Sequence, residues 1–382
     1  MSQIDVASNS ALLSVAEKLD TQNILLTAIA SKDGSLPIKD WAGVQSIVRT
    51  GLAPKVFAIG DQLVCNHETY GELVWDIIGF DNEELTDGTK THSMTIQLHS
   101  LLEDILTYDA PEALYYAQTE LPAGTYNFTL MDGYDTAYGG GKTYYFTITK
   151  PVPAGGQIVF DWPASVQAVD CIISTYESQT GTTPVETVSV AEGNNGIALE
   201  NTNHTQRARY GSNRWSQSAI RQWINSDKAS GAWWKATNDY DRPVDYANTK
   251  NGFMKGLDKD FCSVIGEVTK RTALNTLSDG SGYEDTTERI FLVSRSEVYG
   301  GNETGVVEGT PYAYYSDFSD LNSQGTGDDT NRIRYRKGTP AYWWLRSCYS
   351  KSSTNVSLVS QKGSITSSSF RAQGISPACC IY

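Results

Sequence analysis

The C-terminal tail constrains this chain more than any other stretch. Ten serines fall among the 28 residues 346–373. A Ser-rich run alone reads as a flexible linker. Here it is bracketed by Tyr342-Trp343-Trp344-Leu345-Arg346 and by Gly374 to Tyr382, both with the make-up of core strands. Val356, Leu358, Val359 and Ile365 recur inside it and would pin a meander to a core. The tail is therefore expected to be ordered, with its polar side chains turned outward. Small adaptable polar residues among a few Tyr, Phe and Arg are what a binding surface uses. A plain solvated face has the same composition, and that alternative stays open.

Charge narrows the partners. Lys and Arg number 30 against 44 Asp and Glu, a net −14, which disfavours binding to a phosphate backbone. Neither a membrane-length apolar run nor a signal peptide is read in the sequence. Nucleic-acid partners and membrane insertion are accordingly not expected. The six cysteines form no CxxC pair, Cys379 and Cys380 are adjacent, and a reduced chain with mostly buried thiols is expected. The sequons at Asn127, Asn203, Asn302 and Asn355 are read as chance.

The organisation is mixed. Residues 1–50 read as a helical attachment or oligomerisation segment. Leu12, Val15, Leu19, Leu26 and Ile29 fit either a short, trimeric coiled-coil seam or a helix packed on its own domain. A second helix is expected from Asp40 to Thr50, with Asp40 as N-cap and Gly51 as stop. Residues 72–79 read as a strand, Ser93 to Leu106 as a short helix, and 111–190 as an antiparallel β-sandwich. From about 191 a helix is expected over 216–225, strands over 289–294 and 342–346, and a loop over 316–331.

Tyr-Trp-Trp-Leu-Arg-Ser at 342–347, a polar segment, then Gly-Ile-Ser-Pro-Ala-Cys-Cys-Ile at 374–381 resemble the variable region of C-type-lectin-like proteins diversified by retroelements. Arg209 to Asn213, Ser218 to Asn225 and Phe291 to Tyr299 fit the same family, which is related in fold to formylglycine-generating enzyme and has gut-bacteriophage members. The resemblance implies an α+β fold. Residues 51–110 would open a lectin-like domain, 111–190 would be an Ig-like insert, and 191–382 would complete the domain, with a variable region over about 348–373.

It also implies a function: a receptor-binding or adhesion protein of a phage virion, on tail fibre or head, made in the host cytoplasm. It would be a homotrimer, attached to other virion proteins through its N-terminal segment, with a bacterial surface protein or glycan as ligand and no catalysis. The displayed residues would be Tyr349, Ser350, Lys351, Ser352, Ser353, Thr354, Ser357, Gln361, Lys362, Ser364, Thr366, Ser367, Ser368, Phe370, Arg371 and Gln373. Trp343, Trp344, Arg346, Gly363, Gly374 and Pro377 would form the frame beneath them. Cys348 stands where relatives lead one to expect proline. Tyr349, Phe370 and Arg371 would be the energetic anchors, since aromatics and Arg dominate hot spots.

Competing chemistry is less well supported. The related enzyme uses a close cysteine pair with copper, and no such motif accompanies Cys262 or Cys348. His67, His92, His99 and His204 are scattered, although His92 and His99 would share a face of the expected helix. Asp317, Asp320, Asp328 and Asp329 could offer oxygen ligands to Ca²⁺, but the signatures of calcium-dependent lectins are missing, so no cofactor is expected. A structural virion protein, tail or head decoration, with a fixed lectin-like domain is the alternative.

Overall fold

The structure, a computed structural model, describes residues 40–382 apart from 111–113, 117–119, 121, 131–142, 154–156, 162–169, 177–182, 185–186, 192–204, 208–211, 238–242, 277–278, 302–303, 316–329, 351–354 and 369–370. The expected N-terminal seam and the acidic loop with Asp317, Asp320, Asp328 and Asp329 lie outside the described residues.

Asp40 caps helix α1 (Trp41–Arg49), its Oδ1 accepting from the Gly43 amide at 2.6 Å. This satisfies one of the amides a helix start leaves unpaired. Gly51, at φ +72°, turns the chain away, and the short helix α2 (Ala53–Val56) follows. The α1 side chains Gln45 and Arg49 both donate to the Tyr382 carbonyl, at 2.7 and 3.2 Å. The first described helix is thereby fastened to the last residue.

Strands β1 (Gln62–His67) and β2 (Gly71–Phe80) form an antiparallel hairpin. Alternation in β1 is complete, with Leu63, Cys65 and His67 inside and Gln62, Val64 and Asn66 outside. β3 (Glu84–Leu85) is short, and β4 (Met94–Leu98) is buried at every residue. The helix expected over Ser93 to Leu106 is thus corrected to a strand and an irregular run. Met94, Leu98, Leu101 and Leu102 mimic helical spacing, but β4 is buried on both faces, where alternation disappears.

Eight strands then follow: β5 (Leu114–Tyr116), β6 (Gly124–Leu130), β7 (Thr143–Ile148), β8 (Gln157–Asp161), β9 (Asp170–Tyr176), β10 (Thr183–Pro184), β11 (Thr187–Ala191) and β12 (Thr205–Arg207). They make two sheets, ordered β10-β7-β6-β9-β12 and β11-β8-β5. Among the described residues of these two sheets only the β10–β7 pairing is parallel. The insert reaches past the expected boundary at 190, because β12 supplies the outer neighbour of β9.

Beyond it lie α3 (Ala219–Ile224), α4 (Lys259–Val264), β13 (Ile265–Gly266), β14 (Val268–Ala273), β15 (Tyr283–Glu288), β16 (Ile290–Phe291) and α5 (Arg295–Tyr299). Ser218 caps α3, and Ala219, Ile220, Trp223 and Ile224 are all buried, the face expected from sequence. The strand expected over 289–294 pairs only at Ile290 and Phe291. The chain ends with β17 (Arg334–Arg336), β18 (Thr339–Ala341), β19 (Trp343–Cys348), β20 (Val356–Val359), β21 (Ile365–Ser368) and β22 (Ala378–Ile381).

The main sheet runs β1-β2-β4-β22-β13, with β16 also pairing β22. Its register sets Cys379 opposite Ile96 and Cys380 opposite Thr95. Strands from either side of the insert therefore share one sheet, and the fold is α+β. Adjacent residues of a strand point to opposite faces. Cys379 and Cys380 accordingly enter opposite sides of a doubly covered sheet, and both are fully buried.

Candidate functional site: a polar surface on a buried frame

Strands β19, β20 and β21 form a separate antiparallel sheet, with Trp343 opposite Val359, and Leu358 opposite both Trp344 and Thr366. All six residues of β19 are buried. The two indoles are held by their own N–H groups: Trp343 donates to the Arg332 carbonyl at 3.0 Å, and Trp344 to that of Leu106 at 2.9 Å. Buried indole needs such a partner. Gly374 pairs with this frame through Gly374 N to Tyr342 O at 2.9 Å and Trp344 N to Gly374 O at 3.1 Å. A Cβ at Gly374 would lie 2.8 Å from the Tyr342 carbonyl oxygen and 2.5 Å from Leu101 Cδ1, so a larger residue forces the backbone to shift. Gly363, at φ +78°, makes the β20–β21 turn, and its carbonyl accepts from the Tyr299 hydroxyl at 2.6 Å.

Arg346 is fully buried and meets Glu297 through two bonds, Nη1 to Oε2 at 2.6 Å and Nη2 to Oε1 at 3.0 Å. Bidentate pairing of this kind is the stronger sort. Glu297 also receives Lys270 Nζ at 2.9 Å, and Lys270 reaches Glu83 as well. The same Glu297 closes the capping box of α5 with Ser294. Burial alone would raise the Glu297 pKa, but Arg346 and Lys270 outweigh it and hold the carboxyl down, at about 2. Ser347 donates to Glu308, which also accepts from the Ala273 amide at 2.9 Å. The frame thus stands on a satisfied ionic layer that connects β19 to α5 and β14.

Above it the displayed residues divide. Gln361 and Lys362 are exposed at the turn, Thr366 is exposed on β21, and Arg371 is exposed just beyond it. Tyr349, Ser350, Ser364, Ser367, Ser368 and Gln373 are half-buried. Ser364 is partly a turn-builder, its amide donating to Ser360 Oγ at 3.1 Å. Lys351, Ser352, Ser353, Thr354 and Phe370 lie outside the described residues. Ser357 corrects the sequence reading: it sits in the middle strand and is 2 % exposed, so it belongs to the frame. Cys348 is also inside, its Sγ donating to the Ala273 carbonyl at 3.2 Å. Pro377 is buried, and its carbonyl accepts from Leu98 N at 2.9 Å.

Sequence reasoning missed two features beside this surface. In the β17–β18 hairpin Tyr335 faces Pro340, and Tyr342 follows two residues on, the same parity. Tyr335 and Tyr342 are both exposed, and the backbone of Tyr342 bonds Gly374. Lys337 and Gly338, both at positive φ, make its turn, and only the glycine of that pair matches the usual hairpin signal. The second feature is Asn213, whose Nδ2 donates to the Asn355 carbonyl at 2.9 Å. Asn213 ends one of the stretches that carry the family resemblance, but no role was read for it there.

The remaining candidates are accounted for structurally. His67 Nδ1 accepts from the amides of Thr69 and Tyr70, and its Nε2 lies 3.0 Å from the Phe253 carbonyl. Burial pushes its pKa down, and a neutral ring protonated at Nε2 fits these contacts. His92 and His99 flank a strand instead of sharing a helix face, and pair with Asp81 and Asp76. His204 lies outside the described residues. Among the described residues no cluster of His, Cys, Asp or Glu could hold a metal ion. Cys65, Cys262, Cys348, Cys379 and Cys380 are free, and burial raises the thiol pKa of Cys262, the half-buried one, which disfavours the reactive thiolate. A cavity of about 590 Å³ lies between His67, Leu257, Cys262 and Arg289, away from the displayed residues. Among the described residues no helix is long and apolar enough to cross a membrane.

No curated protein and no solved structure matches the chain. A family profile described as "Domain of unknown function (DUF6273)" matches residues 185–382, just over half of it. The match takes in the frame, the displayed residues and Asn213, but not β1, β2 and β4, with which β22 builds the main sheet. The chain belongs to the DUF6273 family.

Proposed function

We propose that this chain is a binding protein whose C-type-lectin-like frame displays a diversified surface to the outside of a phage virion, for adhesion to a bacterial host. The observation that carries the reading is the division of the tail. Trp343, Trp344 and Arg346 are fully buried, while Gln361, Lys362, Thr366 and Arg371 stand exposed beside them. The ionic layer and the backbone pairing of Gly374 carry the stability, so the exposed side chains are not needed to hold the frame. Tyr335 and Tyr342 add aromatic anchors that the resemblance alone would not have named. One copy of so polar a surface binds weakly. Trimerisation through residues 1–50 and many copies per particle would raise avidity by ~10²–10⁴ per linked engagement.

Sequencing the encoding locus across isolates tests this. Adenine-position changes are expected within 348–373, at exposed and half-buried positions, sparing Cys348, Asn355 and Ser357 as well as Trp343, Trp344 and Gly374. An invariant tail would overturn diversification and leave the alternative, a structural virion protein with a fixed lectin-like domain. Binding of purified protein to host cells supplies the second arm. Replacing Gln361, Lys362, Thr366 and Arg371 together by alanine is expected to lower it at least about tenfold.

A further inference from the structure

The charge of this chain is unevenly spread. Residues 330–382 hold eight Lys and Arg and no Asp or Glu, so all 44 acidic residues lie before them. Such asymmetry between parts of a chain points to a partner of opposite charge. Arg332, Arg334 and Arg346 turn inward, each buried and bonded to protein oxygens. Among the described residues, Lys337, Lys362 and Arg371 are exposed and Arg336 is half-buried. Backbone pairing brings these positions to one side of the frame. The Leu101 amide donates to the Tyr335 carbonyl at 2.9 Å, Gln373 and Leu106 exchange two bonds of 3.0 Å, and Gly374 N donates to Tyr342 O at 2.9 Å. The β17–β18 hairpin, the run 101–106 and the segment 371–374 are therefore neighbours. Trp343 opposite Val359 sets the turn carrying Lys362 at the end of the sheet where Tyr342 enters.

We infer that this face, with Tyr335, Lys337, Tyr342, Lys362 and Arg371, takes an acidic polysaccharide whose carboxylates are spaced by neutral sugars. The cations complement the carboxylates, and Arg in addition offers a planar fork that matches a carboxylate. Tyr335 and Tyr342 offer rigid, flat faces with an electron-rich surface, against which the C–H side of a sugar ring can lie. The acids on this side do not cancel the cations. Glu103 meets Lys337 at 3.3 Å, but the two are 69 % and 64 % exposed, and a pair so open to water holds weakly. Asp104 is engaged by Lys250 and Tyr70, at 2.6 and 2.7 Å. The spacing of the ligand's charges follows from the balance of the whole chain. A polymer charged at every unit, such as a nucleic acid, needs a broad basic field, and a chain of net −14 repels it. A sparsely charged polymer is met by a few cations at close range, where the distant acids are screened.

The inference rests on the reading of this face as a binding surface. Its test passes the full chain over columns carrying hyaluronan, in which carboxylate-bearing and neutral sugars alternate, or its methyl ester, neutral dextran or single-stranded DNA. Retention is expected on hyaluronan alone, and it should fall at least about threefold between about 50 and 300 mM salt. Lys337→Ala with Lys362→Ala, and separately Tyr335→Ala with Tyr342→Ala, are each expected to lower retention at least about tenfold. The lysine pair keeps the test open if the tyrosine pair does not fold. Equal retention on the ester or on dextran overturns the recognition of charge. Stronger retention on DNA overturns the polysaccharide in favour of a nucleic acid. No retention on hyaluronan, or retention untouched by the lysine pair, overturns the site. If the chain then still binds host cells, and loses that binding with the four display alanines, this inference fails alone. Retention as expected, with host binding untouched by those alanines, sinks the display reading alone.

Discussion

β19 and β21 lie one strand apart in the same sheet and differ in what their polar residues do. β19 carries Arg346 and Ser347 fully inside, each joined to a buried glutamate. β21 carries Thr366 in the open and Ser367 and Ser368 half-buried. Composition does not separate them, because both mix apolar and polar residues. What separates them is whether a partner is waiting. Glu297 and Glu308 stand on the inner side of β19, brought there by α5 and the chain after it, and they make burial of charge tolerable. No such group is needed by a strand whose polar side chains reach water. A polar residue in this tail is therefore frame or display according to its neighbours, and mutation can tell the two apart.

The largest effect is expected at Arg346→Ala. It leaves Glu297 charged and half-paired in the core, a loss of about 3–5 kcal/mol, read as a fall in the denaturant midpoint or as insoluble protein. Arg346→Lys is expected to recover only part of this, since an ammonium cannot make the two-pronged bond. An Arg346→Ala protein as stable as wild type would erase the distinction between the strands.

Gly374→Ala comes next, at about 1–3 kcal/mol, because the added methyl must push against Leu101 and the Tyr342 carbonyl. Thermal unfolding of the single variant measures it.

A smaller and more specific effect concerns pH. The folded Glu297 carboxyl is held at about 2, below its ordinary 4.5. A carboxyl depressed on folding stabilises above its unfolded pKa, and that contribution fades as pH falls through the folded one. The stability difference between wild type and Glu297→Gln is thus expected to be full above about pH 4.5 and to shrink toward pH 2. Urea titrations at several pH values check the sign. Glu288, whose pKa burial raises despite Arg221 beside it, acts in the opposite sense and is present in both proteins, so it cancels from the difference.

The smallest effect is expected on the display side. Lys362→Ala and Thr366→Ala should each change stability by less than about 0.5 kcal/mol. A loss of several kcal/mol at Thr366 would move β21 into the frame and sharpen the boundary at its expense.

Much of this was legible in the chain itself. Asp40 and Ser218 announce helix starts because a short oxygen-bearing side chain satisfies nearby amides, a purely local matter. Alternation in β1 and the bracketing of a serine-rich run by Trp343-Trp344 and the 374–382 segment are also local, and they located the sheet and the surface. Other features depend on residues far away in sequence. β4 reads as helix until β2 and β22 cover both its edges. Ser357 reads as display until its place in the middle strand encloses it. Asn213 lies in a stretch that carries the family resemblance, but its contacts are with the distant carbonyls of Tyr349 and Asn355 and could not be read there. The sequence by itself determined where the chain could form strands, caps and turns, since those follow from each residue's own geometry and its near neighbours. Which polar residues face water and which meet a buried partner was decided only by the tertiary structure, because the free energy of burying charge depends on what lies opposite.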